Sequence, residues 1–290
     1  MSRISFRGKL FKINYNCTRE LPVTRTQNYT NEYFTVTVLL RGRGACFVEH
    51  SRYPLEAGDI TVLRANELRH FQYEQGDPHE RISFYMSSSL VSPLWSYDLP
   101  LLAVFTERPA GIGNRITLEG PAREVFFSTL AEIRERISVP AGPVTEAELH
   151  LLLLRLLLCL HRGEPPAGGG SIDPVTGQIC QYIQNHLAEK LSYKRLQEAC
   201  YVSRYQLGAA FRRSTGLTLT EYIVQKRLLR ASELILQGES YGSAARLAGF
   251  PNYSYFYKTF VKYRGVAPNQ YFNTQKIKKF EKENSHGRPL

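Results

Sequence analysis

The sequence lacks the features of several large protein classes. Its five cysteines are far apart and include no pair separated by two residues, which argues against a disulfide framework and a zinc ribbon. The N-terminal residues contain no apolar segment of a secretory signal. The longest apolar stretch, residues 149–161, is too short to cross a bilayer and is interrupted by Arg155. We therefore expect a cytoplasmic protein with reduced, mostly buried cysteines and no membrane partner.

Motifs of catalysis are also missing. The chain has no P-loop, no GxGxxG and no residues in a Ser-His-Asp order. Its 7 histidines form no cluster with metal-ligand spacing. These absences predict that the protein is not an enzyme and holds no metal or cofactor.

Positive charge is abundant, but only in one part of the chain. The whole chain carries a formal charge of +11, and 18 basic against 8 acidic residues place +10 of it in residues 173–290. Residues 1–172 are nearly neutral, with 19 basic and 18 acidic residues. This asymmetry predicts a polyanionic partner for the C-terminal part, with nucleic acid favoured over an anionic membrane surface.

The N-terminal part has the alternating pattern of β-strands, followed by two helices. In residues 34–40, Phe, Val, Val and Leu stand at every second position, with Thr, Thr and Leu between them. Turn residues divide residues 10–90 into short segments. This pattern predicts an all-β sandwich or barrel. Helical periodicity begins at Pro121, and the leucines of residues 144–161 occupy nearly every face of the second helix. Burial of that helix against the barrel alone, or also against a second copy of the chain, explains this equally well.

A segment rich in proline and glycine marks a domain boundary. Residues 162–171 contain two prolines and four glycines and coincide with the change in charge. We therefore predict a first domain over residues 1–162, a linker over 163–172 and a second domain over 173–275. Residues 276–290 are predicted to be a disordered basic tail.

The second domain contains an internal repeat. A shift of 49 residues aligns Ala199 with Ala248, Tyr201 with Phe250, and Ser203 with Asn252. It also aligns two apolar positions four residues apart, Leu207 and Phe211 with Phe256 and Phe260, and then two glycines and two tyrosines. In each copy a short helix, a tight break, an N-cap residue and a second helix ending at glycine follow one another. This order predicts two helix-turn-helix motifs, whose second helices enter the major groove of DNA.

A helix between the copies joins the two motifs. Apolar residues recur at helical spacing over residues 220–238, before a glycine. A helix of this length extends about 27 Å, and successive major grooves on one face of DNA are roughly 34 Å apart. One chain is therefore predicted to contact two grooves of one duplex.

The motifs resemble the AraC/XylS family of bacterial transcription regulators. The resemblance covers about a hundred residues and rests on Ser203, Leu207, Phe211 and Gly216, on Arg227, Ala231 and Leu234, and on residues 248–271. It implies a double helix-turn-helix domain behind a cupin-like effector and dimerisation domain. The implied partners are promoter DNA, a small-molecule effector, RNA polymerase and a second copy of the chain.

The resemblance also implies which residues contact DNA. In the first motif they are Ser203, Arg204, Tyr205, Arg212 and Arg213, and in the second Asn252, Tyr253, Ser254, Tyr257, Lys258 and Lys262. Gly208 and Ala209 depart from the family pattern, because neither offers a long polar side chain. The first motif is therefore expected to position the protein more than to read bases.

The predicted barrel lacks the ligand set of a cupin enzyme. Residues 28–44, where the first metal ligands of such an enzyme would stand, contain no histidine, and His70 matches only the last ligand. A candidate effector pocket comprises Tyr33, Thr35, Phe47, Glu49, His70, Tyr73 and Arg81, although these side chains could simply fill the barrel.

Three functions remain open at this point. The first is a regulator, an activator on the family resemblance, that senses a small molecule such as a sugar. The second is an architectural DNA-binding protein without an effector. The third, a metal-dependent cupin enzyme fused to a DNA-binding module, predicts bound metal in the purified protein.

Overall fold

The computed structural model describes residues 2–18, 31–74, 78–97, 99–140, 142–163 and 171–273. They form two compact units that divide between Asp173 and Pro174. The predicted basic tail and residues 164–170 of the predicted linker lie outside the described residues. The end of the predicted linker, Ser171–Ile172, is a short strand of the first unit.

The first unit contains two antiparallel sheets. One has six strands in the order β1-β2-β8-β3-β6-β9, and the other has four in the order β10-β5-β4-β7. The strands are β1 Ser2–Arg7, β2 Phe11–Thr18, β3 Phe34–Arg41, β4 Gly44–Val48, β5 Ser51–Leu55, β6 Ile60–Leu63, β7 Arg69–Tyr73, β8 His79–Met86, β9 Arg115–Ile116 and β10 Ser171–Ile172. The predicted β-sandwich or barrel is confirmed.

Strand β3 separates two apolar clusters. Val36 and Val38 belong to the larger cluster, on the outer face of the six-stranded sheet. Leu39 points the opposite way, into a smaller cluster with Cys46 and Phe71 of the four-stranded sheet. Because side chains alternate across a strand, the alternating pattern of residues 34–40 becomes two separate cores, and the smaller one lies between the sheets.

Three helices lie between β8 and β10, after a 3₁₀ segment at Ser88–Tyr97, and β9 separates the first of them from the second. They are α1 Ala103–Thr106, α2 Gly120–Arg136 and α3 Pro143–His161. Buried residues of α2 and α3, such as Phe126, Leu149 and Leu153, complete the larger cluster. Leu151 of α3 nevertheless remains 68% exposed, so the sheet does not use the whole apolar surface of this helix.

A buried ion pair fixes the loop after α1. The fully buried carboxylate of Glu67 lies 2.7 Å from the guanidinium of Arg108. The same carboxylate accepts hydrogen bonds from the backbone N–H of Gly111 and from the side chain of Asn114. Burial by itself raises the pKa of Glu67, but the hydrogen bond and charge of Arg108, with the backbone N–H groups of Gly111 and Arg64, bring that pKa below its ordinary value. The hydroxyl of Tyr53 donates to the carbonyl of Gly111 and joins the loop to β5.

We predict that this ion pair contributes strongly to stability. Arg108→Met removes the close partner of a buried carboxylate, leaving only the Arg64 guanidinium at 3.9 Å, and should lower the free energy of unfolding by about 3–5 kcal/mol. Arg136→Met, which removes an exposed ion pair with Glu148, should cost less than about 1 kcal/mol. Urea unfolding of both variants measures the difference, and equal losses would contradict the prediction.

The second unit is helical. Its helices are α4 Pro174–Asn185, α5 Tyr193–Cys200, α6 Phe211–Thr215, α7 Leu219–Leu236, α8 Tyr241–Leu247 and α9 Tyr253–Arg264, with a π-helical segment at Gln206–Ala210 before α6. Helix α7 is the predicted connecting helix. It begins with a capping box in which Thr218 and Glu221 each bind the other's backbone N–H.

The repeat has two shifts rather than one. The N-caps of α5 and α8, Ser192 and Ser240, are 48 residues apart, whereas those of the second helices, Ser203 and Asn252, are 49 apart. The turn of the second motif is therefore one residue longer. The sequence alignment of Ala199 with Ala248, and of Tyr201 with Phe250, is wrong for this reason.

The backbone conformation corrects the pairing in the turn. Tyr201 and Gly249 both have positive φ, of 54° and 91°. The residues that follow them, Val202 and Phe250, are both buried. A tyrosine thus occupies a left-handed position where the second motif has glycine, and its side chain is 93% exposed.

We predict opposite stability effects at these paired positions. Tyr201→Gly relieves a strained backbone and should raise the free energy of unfolding by about 0.5–1 kcal/mol. Gly249→Ala should lower it by more than about 1 kcal/mol, because the added Cβ meets the carbonyl oxygen of Leu187 as well as an unfavourable φ. Thermal unfolding monitored by circular dichroism compares the two variants.

Candidate nucleic-acid interface and effector pocket

The second helix of the second motif, α9, is held by an apolar stripe. Phe256 and Phe260, four residues apart, are fully buried in a cluster with Ala244, Ala248 and Phe272. Asn252 caps the helix, since its side chain accepts a hydrogen bond from the backbone N–H of Tyr255 at 2.8 Å. The exposed face of α9 is thereby fixed relative to α8.

The exposed face of α9 carries the predicted DNA contacts. Tyr253 and Tyr257 are 44% and 40% exposed, and their rings lie 6.2 Å apart. Ser254, Lys258 and Lys262 are exposed beside them. The structure thus brings these side chains together on one surface, where lysine can meet phosphate and tyrosine can meet base edges.

The second helix of the first motif, residues 204–215, is irregular. It begins with a reciprocal cap between Ser203 and Gln206 and contains the π-helical segment. Leu207 and Phe211 are fully buried, like their counterparts in α9. Arg204 and Arg212 are exposed, and the Arg213 guanidinium donates to the hydroxyl of Tyr205 at 2.8 Å. Two of the residues predicted to contact DNA, Tyr205 and Arg213, are therefore hydrogen-bonded to each other in the free protein.

Two cap residues were also predicted to contact DNA. The oxygen atoms of Ser203 and Asn252 accept hydrogen bonds from the backbone N–H groups of Gln206 and Tyr255. Their observed role is structural, and their contacts with DNA remain a proposal. Replacing either residue by alanine removes a helix cap as well as any contact, so neither substitution isolates a contact with DNA.

Two further exposed tyrosines of the motifs were not among the predicted contacts. Tyr255 is 46% exposed, with its ring 6.2 Å from that of Phe250. Tyr201 is exposed in the turn of the first motif. The sequence does indicate that Tyr201 is unusual, because a bulky residue stands where a tight turn favours glycine. This becomes visible only when the two motifs are aligned with the corrected shift. Arg227, by contrast, donates to the carbonyl oxygens of Leu187 and Glu189 and holds the chain after α4.

In the first unit the structure brings together part of the predicted effector pocket. Arg81 of β8 donates to the hydroxyl of Tyr73 of β7 at 2.9 Å, across the two sheets. Thr35 lies on the same inner face of β3 as Leu39, and Tyr33 precedes it with its side chain half-buried. Desolvation, followed by interaction with Glu32, raises the pKa of Tyr33.

The other predicted pocket residues lie elsewhere. Phe47 and His70 are cross-strand partners with rings 5.6 Å apart, on the opposite face of the sheet from Cys46 and Phe71. Glu49, with φ of 55°, lies in the turn between β4 and β5, and its carboxylate accepts the N–H of Leu68. Alternation carries Phe47 and His70 away from the space between the sheets, and Glu49 lies in a turn, so none of the three belongs to the proposed pocket.

The described residues include no group of three His, Cys, Asp or Glu that could hold a metal ion. All five cysteines are free thiols, and burial raises the pKa of the Cys46 thiol. No helix within the described ranges is long and apolar enough to span a bilayer.

We predict that the two lysines of α9 act differently. Lys258→Ala should relax the preference at particular base pairs, at a cost of about 1–3 kcal/mol there, whereas Lys262→Ala should weaken binding to all sequences and reduce its salt dependence. Arg213→Ala should behave like Lys262→Ala. Gel shifts with matched and mutated sites at several salt concentrations measure both effects, and identical behaviour of the variants would refute this division of roles.

Comparisons with known proteins agree with this architecture. Residues 20–157 match the family model described as AraC-like ligand binding domain, and residues 196–274 match a helix-turn-helix domain. The HTH-type transcriptional activator RhaR of Yersinia pseudotuberculosis is 23% identical over 273 residues, which cover 89% of this chain and 91% of that protein.

A second relative and a solved structure are similar to different extents of the chain. The bifunctional transcriptional activator/DNA repair enzyme AdaA of Bacillus subtilis is 32% identical over 100 residues, which cover 34% of this chain and 47% of that protein. The structure of ToxT from Vibrio cholerae is 15% identical with a TM-score of 0.42, and the match covers 90% of this chain and 97% of that one. The two matched domains, in this order, show that the chain belongs to the AraC/XylS family of transcription regulators.

Proposed function

We propose that the protein is a ligand-responsive, sequence-specific activator of transcription that acts in the cytoplasm and is not an enzyme. The observation that carries this proposal is the pair of helix-turn-helix motifs joined by α7, each with a buried stripe and an exposed polar face. The charge of +10 in residues 173–290 supports binding to a polyanion. Activation is proposed from the RhaR and AdaA relatives, whose names describe activators, and it implies RNA polymerase as a partner.

DNA binding is tested by selection from a random-sequence DNA pool with the full chain. We expect enrichment of an asymmetric site that spans two successive major grooves. Gel shifts at several salt concentrations then compare the selected site with scrambled DNA. Equal affinity for both, with a steep salt dependence, would favour the architectural alternative.

The effector is proposed to bind between the two sheets of the first unit. The inner faces offer aromatic side chains from one sheet and hydroxyl and amide groups from the other, a combination that suits a small polar molecule. An effector that prefers one conformation of the protein would change which half-sites a dimer can span. Metal analysis of the purified protein tests the remaining cupin-enzyme alternative, and stoichiometric metal would favour it.

The first unit is proposed to form the dimer through α3. Val144 and Leu151 are 72% and 68% exposed on one side of this helix. Ion pairs between α2 and α3, Arg136 with Glu148 and Arg155 with Glu132, flank these apolar residues. A second copy of the same face would cover them.

We predict that Leu151→Glu weakens the dimer at least tenfold without unfolding the chain, because the residue is exposed in the free subunit. Leu236→Glu, at another exposed leucine on α7, serves as the control and should dimerise normally. Sedimentation velocity over a range of concentrations measures both. A wild-type chain that is monomeric, or an unchanged Leu151→Glu dimer, would exclude this interface.

A further inference from the structure

The space between the sheets has an unusual charge distribution. At the inward positions of β2, β3, β6 and β8, cross-strand pairing places polar or cationic side chains and two leucines, and no Asp or Glu. These residues are Lys12, Asn14, Asn16, Thr18, Thr35, Thr37, Leu39, Thr61, Leu63, His79, Arg81, Ser83 and Tyr85. This face of the six-stranded sheet carries cations and no carboxylate, which favours an anionic ligand. The buried carboxylate of Glu67, near Cys46 and Tyr53 of the other sheet, is already paired with Arg108.

Four of these residues form a row across the six-stranded sheet. Asn14 pairs with Ser83, Ser83 with Thr37, and Thr37 with Thr61. All four are buried, and the hydroxyl oxygens of Thr37 and Ser83 lie 3.1 Å apart. Such a row can donate hydrogen bonds to, and accept them from, the hydroxyl groups of a ligand.

Arg81 lies one step beyond this row on β8. Its guanidinium carbon is 5.3 Å from the centre of the Tyr73 ring, and its Nε is buried without a hydrogen-bond partner. Two other arginines of the first unit, Arg108 and Arg134, have carboxylate partners, Glu67 and Glu80. Arg81 has no ion pair among the described residues, although a partly buried cation is stabilised by a nearby anion.

We propose that the effector is a small hydroxylated carboxylate, of the sugar-acid class, whose carboxylate binds Arg81 and whose hydroxyl groups bind the row from Asn14 to Thr61. The inference rests on the proposed function, which places an effector between the sheets. A neutral sugar satisfies the hydroxyl row but leaves the arginine unpaired. A carboxylate satisfies both, because the guanidinium can bind two carboxylate oxygens at once.

Matched pairs of compounds test the charge of the ligand. Thermal unfolding of the full chain is measured with glucuronate against glucose and with galacturonate against galactose, at equal ionic strength. We expect the acids to raise the melting temperature and their neutral parents to have no effect. A neutral parent that stabilises the protein as well as its acid would overturn the inference, yet would leave the proposed regulator intact. Absence of sequence-specific DNA binding would instead overturn the regulator.

Two arginine variants test the same inference whether or not any of these acids binds. Arg81→Met removes a cation that has no carboxylate partner, together with its hydrogen bond to Tyr73. Its melting temperature should stay close to that of the wild type, with at least tenfold weaker binding of a stabilising acid. Arg134→Met is the matched control, because Arg134 also lies over a tyrosine ring, that of Tyr15 at 5.1 Å, but pairs with Glu80. Its melting temperature should be slightly below that of the wild type, and it should bind the acid with normal affinity. A clear loss of stability in Arg81→Met would show that Arg81 serves the fold, and would overturn the inference.

A separate observation concerns Gly208 in the first motif. A Cβ atom added there would have no neighbour within 4 Å, and the residue does not have a positive φ. Gly208 lies within the π-helical segment Gln206–Ala210, and glycine inside a helix is in general less stable than alanine. With the shift of 49 residues, Gly208 and Ala209 of the first motif correspond to Tyr257 and Lys258 of α9.

We infer that Gly208 allows the backbone of the first motif to approach DNA closely, so that the methyl group of Ala209 contacts a thymine methyl. Ala209 is exposed on this face. Apolar contact with the thymine methyl is one of the ways in which proteins distinguish bases in the major groove. The two motifs would then read DNA differently, the second by long side chains and the first by close approach.

This inference predicts that stability and DNA affinity change in opposite directions. Gly208→Ala should raise the melting temperature but weaken binding to the selected site at least fivefold. Gly242→Ala in α8, where an added Cβ also meets nothing within 4 Å, should not weaken binding. Replacing single thymines of the site by deoxyuridine should locate one thymine whose methyl matters to wild type but not to Gly208→Ala. Unchanged affinity of Gly208→Ala would overturn the inference.

Discussion

The orientation of each reading helix depends on one contact, the burial of two apolar residues a single helical turn apart. Leu207 and Phe211 anchor the first helix and Phe256 and Phe260 the second, and all four are completely buried. Because residues four apart lie on one side of a helix, burying them forces the opposite side outward. Tyrosine, lysine and arginine therefore gather on the exposed side, where they can contact DNA. Without this anchor the same polar residues would have no fixed arrangement.

The first unit uses the same principle in β-structure. Alternation along β3 sends Val36 and Val38 to the helices and Thr35, Thr37 and Leu39 to the space between the sheets. The larger apolar cluster contains most of the buried apolar residues of the two clusters. The inner face of the six-stranded sheet can consequently carry polar groups, which cost free energy when buried without partners. A scaffold stabilised on its outer face leaves its inner face available for a ligand.

Some interactions that matter for stability have no signature in the sequence. Glu67 and Arg108 are far apart in the chain, and neither belongs to a recognisable motif. Only the fold brings them together. The tyrosine with positive φ in the turn of the first motif does have a sequence signal, because it aligns with a glycine of the second motif. The single shift of 49 residues hid this alignment, since the second turn contains one extra residue.

The sequence by itself determined the two-part organisation, the alternating strands, the amphipathic helices and the duplicated motif, because these follow from periodicity, caps and glycine stops that are local in the chain. It also determined the buried stripe of α9, and with it the exposure of Tyr253, Tyr257 and Lys258, although not that of Tyr255. Only the tertiary structure decided that Phe47, Glu49 and His70 lie apart from Tyr73 and Arg81, and that Arg81 lacks a carboxylate partner. The reason is physical: a strand's pattern shows that it has two faces, but only its pairing with other strands decides what each face meets.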